Sequence, residues 1–206
     1  VHEATGGAHD LVLVQAGVGK VNAALCTQLL LGDYDVAAVL CTGSAGALAP
    51  SLDIGDIVVA TDCVQHDLVV EFMDLPRGQI PFTEHRFFET DPALRRRALD
   101  VSLPGHTLTE GRVLTGDRFV EDAVHRDRLR DALQGHCVEM EGAAVGQVCT
   151  LNAVPFLVVR AISDRADGTS DIDFSAFLRE AAQSSARIVL HLLDALPSSF
   201  TAPASG

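Results

Sequence analysis

The chain carries two kinds of hydrophobic pattern in alternation. Short apolar runs rich in β-branched residues predict buried strands at 11–16, 36–41, 55–61, 111–116, 136–140 and 154–163. Apolar residues at helical spacing predict helices at 20–31, 91–101, 121–133, 141–151 and 173–196. Because strands alternate with helices, the pattern predicts an α/β fold: a single domain with a twisted, mostly parallel sheet flanked by helices.

Two segments fall outside this alternation. Residues 62–90 contain two prolines and several aromatics without a regular period, and so long a loop in a compact domain is usually functional or mobile. The apolar side chains of this segment predict a surface for a partner; they are Phe72, Met73, Leu75, Ile80, Phe82, Phe87 and Phe88. The sequence thus predicts one domain over residues 1–196 and a flexible tail over 197–206.

The composition of the chain argues against several classes of function. The formal net charge of -13 argues against binding to nucleic acid or to an anionic membrane, which both need basic patches. No apolar run reaches the roughly 18 residues of a membrane span, and the first residues do not resemble a signal peptide. Five cysteines without CxxC spacing favour a reducing cytoplasm. The eight histidines show no metal-ligand spacing, so we expect neither a metal nor a cofactor.

Glycines and polar residues follow four of the predicted strands. They occur in "TGSAGA", "TGDRFV", "VEMEG" and "RAISDRAD". In parallel sheets ligands bind beyond the carboxyl ends of the strands, so these four segments predict a binding site. By contrast, "GVGK" lacks the first glycine of a phosphate loop and the hydroxyl residue after its lysine, which favours a simple strand-to-helix turn.

The segment "VEME" places two carboxylates after a buried strand. If Val138–Met140 closes that strand, Glu139 and Glu141 point roughly the same way. Carboxylates are rarely buried unless they are paired, so the two predict a polar site. The alternative is that Glu141 only occupies the first turn of the following helix, where a carboxylate is favoured. That alternative explains one glutamate and not the other.

The segment "RAISDRAD" places Arg160, Ser163 and Asp164 at the end of a very apolar strand. Partial burial favours the protonated form of a carboxyl group, which makes Asp164 a candidate general acid. A helix cap or a loop ion pair is the alternative. In "TGSAGA", Gly43 and Gly46 flank Ser44 and would let the backbone approach a ligand, although a tight turn explains them equally well.

The motifs "GSAGALAPSLDIGDIVVA", "TGDRFV", "VEMEGAAVGQVC" and "VPFLVVRAISDRAD" occur in this order across nearly the whole chain. In this combination the sequence resembles the 5′-methylthioadenosine/S-adenosylhomocysteine nucleosidases of the nucleoside phosphorylase superfamily. The resemblance implies hydrolysis of the N-glycosidic bond between adenine and ribose. It also implies a small-molecule nucleoside as the substrate and a homodimer as the assembly.

The resemblance gives roles to the residues at two strand ends. It implies that Asp164 protonates the leaving adenine and that Ser163 holds Asp164. Glu141 would accept hydrogen bonds from the ribose hydroxyls, and Met140 would pack on the sugar. Glu139 lies at the same edge.

The same resemblance gives roles to the remaining segments. Ser44, Ala45 and Gly46 resemble the loop below the ribose and the attacking water, and Arg160 resembles an arginine that places this water. Phe119 would stack on adenine and the backbone of Val120 would bind it. The segment 62–90 would cover the 5′ group together with the partner subunit.

Three alternatives remain open at the level of sequence. Phosphorylases of the superfamily carry an arginine three residues before the serine of the glycine loop, and here that position is Cys41, which favours water over phosphate. The unusual segment 62–90 leaves a futalosine-type substrate open. The resemblance also implies an earlier "IGAMxxE"-like strand and loop with a water-activating glutamate, which no segment here matches. Either this segment precedes the present sequence or the protein is an inactive homologue, which is a further alternative.

Overall fold

The computed structural model describes residues 1–6, 9–166 and 174–197. Its strands are β1 (His2–Gly6), β2 (His9–Leu13), β3 (Val39–Ala47), β4 (Ile57–Gln65), β5 (Phe88–Glu89), β6 (Leu108–Thr115), β7 (Cys137–Glu139) and β8 (Phe156–Asp164). Its helices are α1 (Lys20–Asp33), α2 (Pro92–Leu99), α3 (Ala123–Leu133), α4 (Gly142–Leu151) and α5 (Phe174–Ala195). The five predicted helices are therefore confirmed, while residues 198–206 of the predicted tail lie outside the described residues.

The main sheet is mixed and closes on itself. Its strand order is β5-β4-β6-β7-β3-β8, and β8 pairs back with β4. The two longest ladders, β3 with β8 and β4 with β6, are parallel, whereas β7 with β3 and β8 with β4 are antiparallel. The α/β prediction is confirmed. The short β5 pairs with Asp62 and Cys63 of β4 and does not take part in the closure.

Apolar side chains on both faces of the sheet hold the helices. One cluster joins the sheet to α4 through Ala143, Val145 and Cys149, and it includes Ala23 of α1. A second cluster joins the sheet to α2 and α5. Asp91 caps α2 and Asp122 caps α3, each accepting two backbone N–H groups, which fixes where these helices begin. Within the described residues, no helix is long and apolar enough to span a membrane.

The prediction of a buried strand at 11–16 was wrong. The strand β2 covers residues 9–13, is half exposed, and pairs antiparallel with β1 in a separate two-stranded sheet. An apolar run indicates extended structure but does not choose its partner, and the adjacent segment 2–6 supplies one at short range.

The segment "TGSAGA" is strand and not loop. β3 continues to Ala47, and each residue from Val39 to Gly46 has a register partner in β8. Small side chains lower β-propensity, but the neighbouring strand supplies backbone hydrogen bonds whatever the side chain is. The predicted site residues in this segment therefore stand on a rigid strand.

The segment 62–90 is shorter and more ordered than the sequence predicts. β4 runs to Gln65, a 3-10 turn covers Glu71–Met73, and β5 begins at Phe88. Phe88 is buried in the core and Ile80 packs against it, whereas Phe72 is 90% and Phe82 is 93% exposed. Only part of the apolar set is therefore free to meet a partner.

Candidate active site

Three strands bring the predicted residues to one edge of the sheet. Gly46 of β3 lies between Val138 of β7 and Asp164 of β8 in the sheet register. A Cβ at Gly46 would lie 3.0 Å from Oδ1 of Asp164, so glycine makes room for this carboxylate. The "VEME" and "RAISD" segments, distant in sequence, are therefore neighbours across a single residue.

Glu139 is buried, and both of its carboxylate oxygens are engaged by neighbouring groups of the protein. Its Oε1 accepts a hydrogen bond from the hydroxyl of Thr115, and its Oε2 accepts the backbone amides of Glu141 at 3.0 Å and Gly142 at 2.7 Å. The guanidinium of Arg160 forms an ion pair with the same Oε2. Glu139 thus caps the start of α4 and neutralises a buried arginine.

Arg160 is the charged residue at the centre of the site. It is 2% exposed, and its Nη2 lies 3.4 Å from Sγ of Cys41 and 3.8 Å from Oε2 of Glu141. Burial alone would lower the pKa of Arg160, but the neighbouring Cys41, Glu139 and Glu141 raise it, so the residue stays charged. Among the described residues its Nε is buried without a hydrogen-bond partner, which leaves one donor for a ligand.

Gly43 makes the room that Arg160 occupies. A Cβ at Gly43 would lie 2.4 Å from Nη1 of Arg160. Burial raises the pKa of the Cys41 thiol beside it, although Arg160 alone would lower it. The position that carries an arginine in phosphorylases is thus a thiol of raised pKa against the guanidinium from β8.

Glu141 is the N-cap residue directly before α4, but its side chain makes no capping hydrogen bond to the helix. Instead, its Oε1 accepts the backbone amide of Gly19 at 2.8 Å, from the turn before α1. Burial raises the pKa of Glu141, and the nearby Glu139 raises it further, while the Gly19 amide and Arg160 lower it. The backbone of Glu141 therefore lies at the helix terminus, as the alternative interpretation predicts. Its side chain binds the Gly19 amide and not the helix.

Asp164 is held at the end of β8 by short-range hydrogen bonds. Its Oδ2 accepts from the hydroxyl of Ser163 at 2.7 Å, and its Oδ1 accepts from the amide of Ala166 at 2.8 Å. The Ser163 hydroxyl also lies 3.3 Å from the carbonyl oxygen of Ala45 on β3. The side chain is therefore oriented by two neighbours and fixed against the "SAG" segment.

The remaining predicted residues surround these groups. Ser44 of β3 is half-buried and lies opposite Ala161 in the register. Met140 is half-buried between the two glutamates. In the loop after β6, Phe119 is 66% exposed, whereas Val120 is buried in an apolar cluster.

Several contributors were missed by sequence reasoning. Thr115 and Gly19 hold the two glutamates, yet they lie far from the "VEME" segment in sequence, so no local pattern could pair them. His66, in the segment after β4, is 3% exposed and packs against Gly116. The two amides of the "GVGK" turn donate to Glu141 and Asp117, so the turn is filled by carboxylates rather than open to phosphate.

Comparison with known proteins identifies the family of this chain. The family model described as "Phosphorylase superfamily" matches residues 2–194 of this chain. The chain is 40% identical over 215 aligned residues to the 5′-methylthioadenosine/S-adenosylhomocysteine nucleosidase of Treponema pallidum, covering 92% of this chain and 80% of that protein.

Solved structures agree with this similarity. The corresponding nucleosidase of Neisseria meningitidis, in complex with methylthio-immucillin-A, superposes with a TM-score of 0.88 at 34% identity, over 94% of this chain and 85% of that one. A futalosine hydrolase mutant of Helicobacter pylori gives a TM-score of 0.88 at 35% identity, over 95% and 85% of the two chains. The chain belongs to the phosphorylase superfamily and, within it, to the 5′-methylthioadenosine/S-adenosylhomocysteine nucleosidases.

Proposed function

We propose that the protein hydrolyses the N-glycosidic bond of 5′-methylthioadenosine and S-adenosylhomocysteine, with release of adenine and the thioribose product. The observation that carries this proposal is the meeting of two groups at Gly46: the pair of Ser163 and Asp164, and the cluster of Glu139, Glu141 and Arg160. A candidate general acid and carboxylates that can stabilise positive charge thus lie at one edge of the sheet. Cleavage of a glycosidic bond requires both.

Asp164 is the proposed acid. The bond from ribose to adenine breaks heterolytically, so the base leaves with the electron pair and must gain a proton on its five-membered ring. The Ser163 hydroxyl and the Ala166 amide fix the orientation of the Asp164 carboxyl group, and proton transfer from a fixed group costs little reorganisation.

Glu141 is the proposed ribose ligand. The breaking bond leaves positive charge on the sugar, and a carboxylate nearby stabilises that charge in the transition state. Its side chain is 22% exposed, and Oε1 is held by Gly19. The other oxygen is therefore available to the ribose hydroxyls, with Met140 against the sugar.

Arg160 is the proposed ligand of the attacking water, and Glu139 holds Arg160 in place. The unpartnered buried Nε of Arg160 supplies a donor for the water oxygen, while Ser44, Ala45 and Gly46 form the floor. Glu139 is assigned to hold Arg160 and α4 rather than to bind the substrate directly, because Thr115, Gly142 and Arg160 already engage both of its oxygens.

The local charge favours water over phosphate. One buried guanidinium faces two carboxylates, Glu139 and Glu141, so the cluster is net negative when both are ionised. A phosphate dianion in such a place would need additional paired positive charge, and Cys41 does not provide it. The added nucleophile is therefore water, and the products are free adenine and a free sugar.

The base-binding loop follows β6. Phe119 exposes its ring for stacking on adenine, and the buried Val120 anchors the loop so that its backbone can bind the base edge. The similarity to a futalosine hydrolase favours one second candidate substrate, a nucleoside with a larger 5′ group. The irregular part of segment 62–90, with Phe72 and Phe82 exposed, is the part of the chain that would cover such a group.

The exposed apolar face of α1 supports a homodimer. Val21 is 76%, Leu25 is 59% and Leu29 is 56% exposed, and these residues lie four apart on one face, while Ala23 and Thr27 are buried on the other. A helix that is apolar on both faces is normally covered on both. A second copy of this chain is the proposed cover.

The proposed compartment is the cytoplasm. All five cysteines are free, and burial raises the pKa of Cys63 and of Cys137. Thiols of this kind fit a reducing environment.

The experiment that tests the function is product identification. With methylthioadenosine in phosphate buffer, adenine and 5-methylthioribose should appear at the same rate as in phosphate-free buffer. The sugar 1-phosphate as the main product would instead indicate phosphorolysis, and futalosine as a far better substrate would indicate the second candidate. Absence of base release from both nucleosides would contradict the proposal.

A further inference from the structure

A ring of hydrogen bonds lies at the rim of the site. One oxygen of Asp67 accepts from Nζ of Lys20 at 2.7 Å, and the other accepts from the backbone amide of Asp117 at 2.9 Å. The carboxylate of Asp117 in turn accepts from the backbone amide of Lys20 at 2.8 Å. We name these three residues the rim ring. It joins the start of α1, the segment after β4 and the loop after β6.

The amide beside the rim ring is the one that holds Glu141. Gly19 directly precedes Lys20, and its N–H donates to Oε1 of Glu141. Gly19 has φ 93°, and a Cβ there would lie 3.0 Å from Oδ1 of Asp117. Glycine tolerates this conformation but does not enforce it, so the direction of its amide depends on what fixes Lys20.

The rim ring also reaches the base-binding loop. Asp117 stands two residues before Phe119, and Val120 packs in the same cluster as Val138 of β7. A shift of the ring would therefore move the proposed adenine contact and the proposed ribose contact together.

We propose that the rim ring positions the Gly19 amide on Glu141 and thereby orients the carboxylate that binds the ribose. The ring residues act through Gly19 and not by touching the substrate, so they are positioning residues. The inference rests on the proposed function only for the role of Glu141; the contact itself can be tested without substrate.

The charge state of the ring supports this role. Burial would raise the pKa of Asp67, but hydrogen bonds from Lys20 and from the Asp117 amide outweigh it and hold the pKa below its usual range. The ring therefore stays intact at neutral pH. The Lys20 and Asp67 side chains are 20% and 28% exposed, and partly exposed ion pairs contribute little to stability. Orientation, rather than global stability, is the expected effect.

Removal of the Asp67 carboxylate would affect the pKa of Glu141 in two opposite ways. Loss of a nearby negative charge would by itself lower the pKa of Glu141. Loss of the Gly19 hydrogen bond would raise it, because that bond favours the ionised form. The other groups that face Glu141 are Glu139 from β7, Arg160 from β8 and Cys41 from β3, and none of these is changed.

The test is a substrate-free titration of Asp67→Asn. The variant has one acceptor oxygen instead of two, so the ring loses a hydrogen bond. The pKa of Glu141, followed by carbon-13 NMR with glutamate labelling and assigned through Glu141→Gln, should rise by about 1, with little change in melting temperature. Asp117→Ala should change it in the same direction. Asp131→Asn, an exposed ion-pair aspartate on α3, is the matched control and should leave it unchanged.

A pKa of Glu141 that stays constant or falls in both ring variants would overturn the proposal. In an active enzyme, the acid limb of kcat/KM should also move to higher pH in Asp67→Asn, with a loss of about tenfold below the limb. If the wild-type protein releases no adenine, the proposed function fails, and the titration still decides the positioning role.

Discussion

The buried pair of Glu139 and Arg160 is the residue-scale feature on which the site depends. Taking two charges out of water is costly, and the attraction between them repays this only when further hydrogen bonds satisfy the remaining atoms. Thr115 and two backbone amides do so for Glu139, but the Nε of Arg160 has no partner among the described residues. The incomplete satisfaction of Arg160 is typical of a group kept for a ligand.

Asp164 allows a sharp test at the same scale. Asp164→Asn keeps the shape of the side chain and one acceptor oxygen, so Ser163 and Ala166 can still hold it in part. We expect the fold and the KM to be retained and kcat to fall by roughly 10²–10⁴-fold, because proton transfer from a placed group contributes about that much. Steady-state kinetics of adenine release measures this, with Asp131→Asn as the charge-matched control. More than half of wild-type activity in Asp164→Asn would mean that another group is the acid.

Some residues of the candidate site stand out in the sequence, whereas their hydrogen-bond partners do not. Asp164 ends the buried strand β8 and Glu141 lies two residues after the buried strand β7, so their polarity stands out against an apolar pattern. The partners Gly19 and Thr115 are 122 and 24 residues away from the glutamates they hold. Such contacts depend on the register between strands, which an isolated pattern does not encode.

At the scale of elements, β3 shows why a strand can look like a loop. Its sequence "TGSAGA" needs small residues because side chains of the neighbouring strand pack directly against its backbone. Arg160 occupies the space beside Gly43, and Asp164 occupies the space beside Gly46. Small residues are therefore required by the neighbouring strand β8 and not by a turn. The prediction of a loop was wrong for the conformation of this segment, and the functional role of its backbone stays a prediction.

The segment after β4 makes stability depend on pH through His66. Burial lowers the pKa of His66 to about 4 from 6.5, against the raising effect of Asp67; His125, Arg77 and Lys20 also face it and lower the pKa. The unfolded chain therefore binds a proton in a range where the folded protein does not. Its contribution is fully present above pH 6.5 and is lost as the pH falls from 6.5 to 4.

The expected size of this effect is about 3 kcal/mol, since a tenfold change in a proton-binding constant corresponds to about 1.4 kcal/mol. Urea unfolding of the wild-type protein and of His66→Gln at pH 7 and at pH 4.5 measures it. The loss of unfolding free energy on acidification should be smaller in His66→Gln by most of that amount. His2→Gln, at an exposed position, is the matched control. Equal losses in wild type and His66→Gln would assign the acid sensitivity to other groups.

At the scale of the whole molecule, the alternation of short apolar runs with segments of helical spacing was enough to predict an α/β fold. It was not enough to predict closure of the sheet. The pairing of β8 with β4 depends on three register pairs, Ile57–Val59 with Val159–Ala161, whose side chains are mostly as apolar as others in the core. Hydrophobicity indicates that a strand is buried, but it does not determine which strands pair with it.

The outer face of α1 carries the last prediction, which concerns assembly. If a second copy covers Val21, Leu25 and Leu29, the wild-type protein should sediment as a dimer at micromolar concentration. In a twofold interface each substitution acts twice, and burial of one leucine is worth about 1.5–3 kcal/mol. Leu25→Glu should therefore raise the dissociation constant by roughly 10²–10⁴-fold and give monomers. Leu190→Glu on α5 is the matched control, because Leu190 is 57% exposed against 59% for Leu25. A wild-type monomer would contradict a homodimer altogether, and dissociation by Leu190→Glu but not by Leu25→Glu would move the interface from α1 to α5.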